Sequence, residues 1–167
     1  MLIFDASTLI LISRIELLDL FLGSLVVEVA VPAEVEKECC GAKKALDALL
    51  IQRAIAESRM TVLAVKDRRL VAKLQHDFSL GHGEAEAIAL AKVKAADLLA
   101  IDDKNGINAC KLLGIAFTTA ANILVHCREK HLLSEEEAMR KLGLLERYGR
   151  YKGTILDDVK ARLEGIK

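Results

Sequence analysis

The sequence predicts a three-layer α/β/α fold, in which helices cover both faces of a parallel sheet of about five strands. Short apolar segments alternate with helical segments, and none of the apolar segments shows the polar alternation of a half-exposed strand. The chain has 167 residues, of which 53% are hydrophobic and only 4% aromatic, and this composition is typical of one domain with an aliphatic core.

In the amino-terminal half, each predicted element ends at a residue that favours a turn or starts a helix. The apolar run "MLIFD" predicts a buried strand over 1–5, and Ser7 can cap the first of two short helices that stop at Gly23. The run "LVVEVAVP" predicts a second strand that ends at Pro32, and proline is well tolerated in the first turn of the following helix. Further elements are predicted as helices over 33–40 and 42–58 and a third strand over 60–65.

The carboxyl-terminal half continues the alternation and then becomes wholly helical. A helix over 67–78 precedes "SLGHGEAEAIALAKVKAA", in which a glycine-containing loop runs into an Ala-rich helix. The fourth strand is "DLLAI", residues 97–101, which leads directly into two acids. The remaining elements are predicted as a helix over 105–114, a strand over 115–119, and helices over 120–130, 134–148 and 154–164.

The charge balance and the cysteines restrict the classes of function and the compartment. Lys and Arg number 24, as do Asp and Glu, so no overall positive field would attract a nucleic acid, and any such contact requires a local basic patch. The four cysteines have neither zinc-site spacing nor the pattern of a disulfide framework, which favours thiols in a reducing cytoplasm. Asp5 interrupts the first apolar run, and no run reaches the ~20 apolar residues of a membrane span, so a cytoplasmic protein without membrane attachment is expected.

Acidic residues follow the predicted strands on the side where parallel sheets bind ligands. Asp5 ends the first strand, Asp102 and Asp103 follow the fourth, Glu84 opens the Ala-rich helix, and Glu38 lies in the helix after the proline. Carboxylates brought together repel one another, and a hard divalent ion such as Mg²⁺ or Mn²⁺ relieves that repulsion. Taken singly, each acid could equally be a helix cap or a solvated charge, and the pattern alone leaves both interpretations open.

Four segments resemble the PIN domain, and most closely the VapC-toxin-like branch of stand-alone archaeal and bacterial PIN proteins. They are "IFDASTLILISRI", "VPAEVEKE", "LGHGEAEAIALA" and "LLAIDDKNGINACKLLGI", in this order. The resemblance covers a PIN-like domain over 1–130, and residues 131–167 are expected to form a C-terminal helical extension packed on the same domain. It implies a metal-dependent ribonuclease built on a five-stranded parallel sheet.

The resemblance also implies roles for individual acids. Asp5, Glu84 and a final acid, either Asp102 or Asp103, would be the catalytic residues, and the spacing favours Asp103 as the final acid. Ser7 would support Asp5 by a hydrogen bond. Glu38, rather than its neighbour Glu34, matches the acid in the helix after the proline. The implied metal ligands, for Mg²⁺ or Mn²⁺, are Asp5, Glu38, Glu84, Asp102 and Asp103.

The sequence departs from the family pattern at two places near the last acids. Ile101 stands where a Thr or Ser often precedes the acidic pair, which removes a hydroxyl donor. The following helix offers only Lys104 and Lys111 where an Arg often stands, which removes a phosphate contact. Both departures are expected to affect the rate of RNA cleavage and the choice of substrate more than the binding of the metal ion.

The expected partners are RNA with single-stranded regions, an antitoxin protein if the chain is a toxin, and a second copy in a homodimer through the apolar helices of residues 7–23. In "RYGRYKG", basic side chains and two tyrosines could hold phosphates and stack bases, or the basic residues could simply complement a helix end. The RNA-binding candidates are Arg147, Arg150 and Lys152.

Two other classes of protein are alternatives to a nuclease. A PIN-fold module with little or no activity, binding RNA or a protein partner, agrees with the two departures but not with the complete set of acids. A phosphoryl-acceptor domain would need a Lys at a strand end opposite a nucleophilic Asp, and no strand end carries such a Lys.

Overall fold

The computed structural model describes residues 1–41 and 45–166, and it confirms the predicted three-layer α/β/α fold. Within that part of the chain, five parallel strands form one sheet in the order β3-β2-β1-β4-β5, with helices on both faces. The strands are β1 Leu2–Phe4, β2 Val29–Pro32, β3 Thr61–Leu63, β4 Leu98–Ala100 and β5 Phe117–Thr118. The helices are α1 Ala6–Arg14, α2 Leu18–Ser24, α3 Ala33–Cys40, α4 Leu46–Ala56, α5 Arg68–Phe78, α6 His82–Lys94, α7 Lys104–Leu113, α8 Ala120–Glu129, α9 Glu135–Tyr148 and α10 Gly153–Gly165.

These elements follow the predicted order, and their strands are shorter than the apolar runs that predicted them. The expected start of the fourth helix, residues 42–44, lies outside the described residues. From Leu46 onward that helix is present as α4, and it begins after Ala45, which has extended backbone angles.

The central strand β1 is buried because both faces of the sheet are covered by apolar side chains. Leu2 and Phe4 point to one core, which α1, α2, α8 and α9 complete, whereas Ile3 points to the other core, beneath α6 and α7. Strand β2 divides its side chains in the same way. Continuous apolar runs are therefore required in these strands, as expected for a parallel sheet.

The strand order places a topological switch point beside β1. Strand β1 pairs with β2 on one side and with β4 on the other, so the chain moves outward to β3 and then returns to the opposite side of the centre. Loops that leave β1 and β4 at such a point diverge and open a crevice at the carboxyl edge of the sheet.

The apolar residues expected to form a dimer interface over residues 7–23 are largely used inside the protomer. Leu9, Ile12, Leu18 and Phe21 are buried in the first core. These four side chains are therefore not available to a partner, because α1 packs between α3, α4, α8 and α9, and the homodimer stays a prediction.

The C-terminal helices pack on the body of the fold through apolar contacts and one buried lysine. Helix α9 contacts α8 and α1, and α10 contacts α8 and α9. Lys141 of α9 is only 5% exposed, and its Nζ donates hydrogen bonds to the carbonyl oxygens of Ile15 at 3.0 Å and Glu16 at 2.7 Å. These carbonyls lie at the end of α1 and would otherwise lack donors.

Two properties of the whole fold bear on its setting. In the part of the chain that the structure describes, no helix combines the length and the apolar character that crossing a membrane would require. The four cysteines all lie in that part as well, and they form no disulfide.

Replacing Lys141 by Met should lower the free energy of unfolding by about 1–3 kcal/mol, because the buried carbonyl group of Ile15 and the partly buried one of Glu16 lose this donor while the aliphatic stem is kept. Urea unfolding of the two proteins measures the difference. Lys160→Met on α10 is the matched control, since Lys160 is exposed and its ion pair with Glu164 is long at 3.9 Å. Its effect should stay within about 0.5 kcal/mol. Equal losses in the two variants would show that the Lys141 contacts do not hold α9 in place.

Candidate active site

Asp5 lies wholly buried at the carboxyl end of the central strand and caps helix α1. Its Oδ1 accepts the backbone N–H of Thr8 at 2.8 Å, and its Oδ2 accepts the hydroxyl of Ser7 at 2.5 Å. The backbone N–H of Asp5 donates to Ala100 at 2.9 Å, which ties the residue to β4. Burial raises the pKa of Asp5 from 3.8 to about 7, because these hydrogen bonds offset the loss of hydration only in part.

Asp102 approaches Asp5 from the neighbouring strand, with both of its oxygens engaged. The N–H of Ala120 donates to Oδ2 at 2.9 Å, and the hydroxyl of Tyr151 donates to Oδ1. Burial raises the pKa of Asp102 above its usual range, and the nearby charge of Asp102 contributes to the raised pKa of Asp5. Burial and the Asp102 charge also raise the pKa of Tyr151, so the phenol keeps its proton and remains a donor at neutral pH.

Thr8 faces both of these carboxylates from the first turn of α1. Its side chain lowers the pKa of Asp5 and of Asp102, which places its hydroxyl beside both groups. Nevertheless, Oγ1 of Thr8 is buried and makes no hydrogen bond of ordinary geometry. A buried polar atom without a proper partner is uncommon, and here it is directed at the two acids.

A second group of acids lies at the amino end of α6. The N–H of Gly81 donates to Oε2 of Glu84 at 2.8 Å, and the N–H of Gly83 donates to Oε1 of Glu38 at 3.2 Å. Burial raises the pKa of Glu84, and the negative charges of Asp103 and Glu38 raise it further. Asp103 caps α7 by accepting the N–H of Gly106 at 2.8 Å.

Glu34, the neighbour that could be confused with Glu38, is occupied elsewhere. Its carboxylate pairs with Lys37 at 3.1 Å, and its backbone N–H donates to Glu86 at 3.3 Å. Glu38 is therefore the acid of α3 that contacts the start of α6 and contributes its charge to Glu84.

The structure thus places the five predicted acids in two coupled groups at the carboxyl edge of the sheet, Asp5 with Asp102, and Glu84 with Asp103 and Glu38. Within residues 1–41 and 45–166, no three His, Cys, Asp or Glu side chains stand close enough together to hold a metal ion as they lie. A chelating arrangement is therefore not preformed, and the individual carboxylates serve as helix caps or accept other hydrogen bonds instead.

The donor chemistry of the site nevertheless fits a hard divalent cation. All five candidate ligands offer carboxylate oxygens, which is the ligand type of Mg²⁺ and Mn²⁺. No Lys or Arg side chain of the described chain is among the causes that shift the pKa values of Asp5, Glu84 and Asp102. Within the described residues, the groups that offset this negative charge are N–H and O–H donors, and a cation would relieve the repulsion that remains.

Three residues near the site were not predicted as members. Thr8 could have been suspected, because it stands three residues after Asp5 at the usual capping distance. Tyr151 had no local signal, since 49 residues separate it from Asp102. Base stacking was one possibility for its ring, which packs on the first core. Glu86, only 2% exposed, pairs with Arg68 of α5 and accepts the N–H of Glu34, so it joins three helices.

The missing hydroxyl before the acidic pair is explained by packing. Ile101 is wholly buried, and its Cδ1 would lie 2.3 Å from a Cβ placed on Gly106. A side chain at 101 therefore belongs to the core beneath α7, and the hydroxyl that reaches Asp102 comes from Tyr151 instead.

Comparison with known proteins gives one result. The sequence model of a family described as a PIN domain matches residues 1–164. No curated protein and no solved structure shows a significant match to the chain.

Asp5→Asn should stabilise the metal-free protein at neutral pH. The native state holds a proton on Asp5 up to pH about 7, whereas the unfolded chain releases it near 3.8, so the native state binds more protons in between. The contribution of Asp5 to stability should therefore fall as pH rises through this window, so the parent should lose stability relative to the Asn variant. Urea unfolding at several pH values in the presence of a chelator measures it.

Asp158→Asn on α10 is the control, because Asp158 is exposed and lies outside the site. It should leave the pH dependence of the parent unchanged. If the stabilities of the parent and of Asp5→Asn changed equally between pH 4 and 7, that would contradict the raised pKa of Asp5.

Proposed function

This chain belongs to the PIN domain family, and from that premise we propose that it is a Mg²⁺- or Mn²⁺-dependent endoribonuclease. PIN domains are in general metal-dependent nucleases. The observation that supports the activity in this chain is the uncompensated charge at the carboxyl edge of the sheet, above all the wholly buried Asp5 beside Asp102. A protein without a use for that charge would gain stability by replacing it.

In this proposal Asp5, Glu84 and Asp103 hold the ion, with Glu38 and Asp102 as outer acids. A bound divalent ion polarises a phosphoryl oxygen and lowers the pKa of a water molecule. The chain's own contribution is orientation: Ser7 and the Thr8 N–H fix the Asp5 carboxylate. The N–H of Gly81 donates to one oxygen of Glu84, and the N–H of Gly106 donates to one oxygen of Asp103. In each carboxylate the second oxygen would then be the one that binds the ion.

RNA would be held by basic residues of the loop between α9 and α10 and its flanks. Arg147, Arg150 and Lys152 are exposed, and the last two flank Tyr151, whose hydroxyl contacts the site. Adjacent Cα atoms are about 3.8 Å apart, so these two side chains start within a short distance of the anchored ring. The neutral net charge makes such a local patch necessary for binding a polyanion.

The finer assignments follow from the resemblance to the VapC-toxin-like branch and stay predictions. They are a toxin role, an antitoxin protein as partner, a homodimer and a cytoplasmic location. We further propose that residues 131–167 form an extension of the domain over 1–130, which the contacts of Lys141 and Tyr151 support.

A second candidate function is a PIN-fold module that binds RNA or a protein without appreciable cleavage. The observation in its favour is that no three potential ligands are grouped closely enough to chelate an ion in the described chain. The two functions differ in whether Mn²⁺ changes the protein's stability and whether RNA is cut.

Glu84→Gln should abolish cleavage of single-stranded RNA, because the side chain keeps its size and its contact with Gly81 but loses the charge that would bind the ion. Cleavage is measured with Mn²⁺, with Mg²⁺ and with a chelator. Glu164→Gln on the exposed face of α10 should cleave like the parent. A parent that leaves RNA intact and melts at the same temperature with and without Mn²⁺ would favour the binding module.

Gly83→Ala should weaken Mn²⁺ binding several-fold with little loss of metal-free stability. A Cβ at position 83 would lie 2.5 Å from Oε1 of Glu38, so the flexible carboxylate must move away, while Ala itself favours the helix. At Gly81 the nearest side-chain atom would be 3.5 Å away, an ordinary contact, so Gly81→Ala is the matched control. Titration calorimetry measures the Mn²⁺ affinity of the parent, Gly83→Ala and Gly81→Ala. Equal affinities in all three would show that Glu38 does not contribute to Mn²⁺ binding.

A further inference from the structure

Tyr151 brings the C-terminal segment of the chain into direct contact with the acidic site. It lies in the loop between α9 and α10, and its ring packs on the first core. Its hydroxyl donates to Oδ1 of Asp102 and accepts the N–H of Ala121 at 3.3 Å. The phenol oxygen therefore bridges the acid that follows β4 and the first turn of α8.

The position of this ring is built into the loop. A Cβ on Gly149 would lie 2.7 Å from Cδ2 of Tyr151 and 2.7 Å from the carbonyl oxygen of Leu145. Only glycine leaves room for the ring at this point, since real Cβ atoms do not approach other atoms so closely. The contact with Asp102 thus depends on a close approach between the loop and the end of α9.

Asp102 is held by donors from two separate parts of the chain. The Ala120 N–H donates to Oδ2 and the Tyr151 hydroxyl donates to Oδ1, so the two hydrogen bonds together fix the orientation of the carboxylate. The Thr8 hydroxyl, which makes no hydrogen bond of ordinary geometry, lowers the pKa of both this carboxylate and Asp5. A change in the orientation of Asp102 would therefore change the charge that faces Asp5.

We propose that Tyr151 is a positioning residue that holds Asp102 as an oriented outer acid and thereby sets the affinity of the site for its divalent ion. The inference rests on the proposed function. Hydrogen-bond partners that orient a metal site's acids are worth about 10–100-fold in metal affinity. Without the phenolic hydroxyl, Asp102 keeps the Ala120 N–H as a donor and loses the other, so its carboxylate can rotate. The position of its negative charge relative to the ion would then vary.

The test compares full-length parent, Tyr151→Phe and Tyr148→Phe. Tyr151→Phe keeps the packed ring and removes only the hydroxyl. Tyr148 is the matched control because it lies three residues earlier, is 42% exposed, and has its ring near the guanidinium groups of Arg14 and Arg147. Mn²⁺ binding to the metal-free proteins is measured by titration calorimetry, after melting curves without metal have shown that each variant is folded.

Tyr151→Phe should bind Mn²⁺ about tenfold more weakly, whereas Tyr148→Phe should bind like the parent. RNA cleavage by Tyr151→Phe should be slow at low Mn²⁺ concentration and should recover as Mn²⁺ approaches saturation. A tyrosine with a purely structural role would lower the melting temperature and leave the Mn²⁺ midpoint unchanged. Unchanged or tighter Mn²⁺ binding by Tyr151→Phe would overturn the proposal.

Gly149→Ala provides a second route to the same displacement, because the added Cβ must push the Tyr151 ring. Weaker Mn²⁺ binding in this variant, with the hydroxyl still present, would support positioning by the loop. The behaviour of the parent protein separates a failure of the role proposed for Tyr151 from a failure of the proposed nuclease function. A parent that binds Mn²⁺ and cleaves RNA, with Tyr151→Phe unchanged, overturns only the role of Tyr151. A parent that binds no Mn²⁺ and cleaves nothing overturns the proposed function and this inference together.

Discussion

The burial of the Asp5 carboxylate is the constraint on which the arrangement of the site depends. A pKa raised from 3.8 to about 7 corresponds to a cost on the order of 4 kcal/mol for holding the charge in place. Total stabilities of domains are about 5–15 kcal/mol, so this is a large fraction. The surroundings of Asp5 reduce the cost with dipoles from Ser7 and Thr8, and they do so without a basic side chain.

The same acids serve the fold and the site. Asp5 and Asp103 cap α1 and α7, and Glu84 accepts the backbone N–H of Gly81, the N-cap residue of α6. Each cap uses the positive end of a helix to stabilise a carboxylate at the switch point of the sheet. The two interpretations that the pattern of acids left open, helix cap and metal ligand, therefore do not exclude each other, because the bond from Gly81 or Gly106 engages one oxygen of its carboxylate.

Contacts between distant parts of the chain complete the surroundings of the site. Tyr151 reaches Asp102 from beyond α9, and Lys141 ties α9 to the end of α1, the helix that Asp5 caps. On the other side, Glu86 links α6 to Arg68 of α5 and to the start of α3. The site is thus held by elements from both ends of the chain, and its geometry depends on how those elements pack.

The sequence by itself determined the strands, most helices and the position of the acids, because apolar runs, caps and prolines act on neighbouring residues. It placed Asp5, Asp102 and Asp103 at strand ends, and parallel strands bring those ends to one edge. Only the tertiary structure decided that the carboxylate of Glu38, and not that of Glu34, accepts the N–H of Gly83 at the start of α6, and that the ring of Tyr151 packs inward. It also decided that, within the described residues, no three His, Cys, Asp or Glu side chains lie close enough together to bind a metal ion. These outcomes depend on contacts between residues far apart in sequence and on side-chain orientation, which local patterns do not encode.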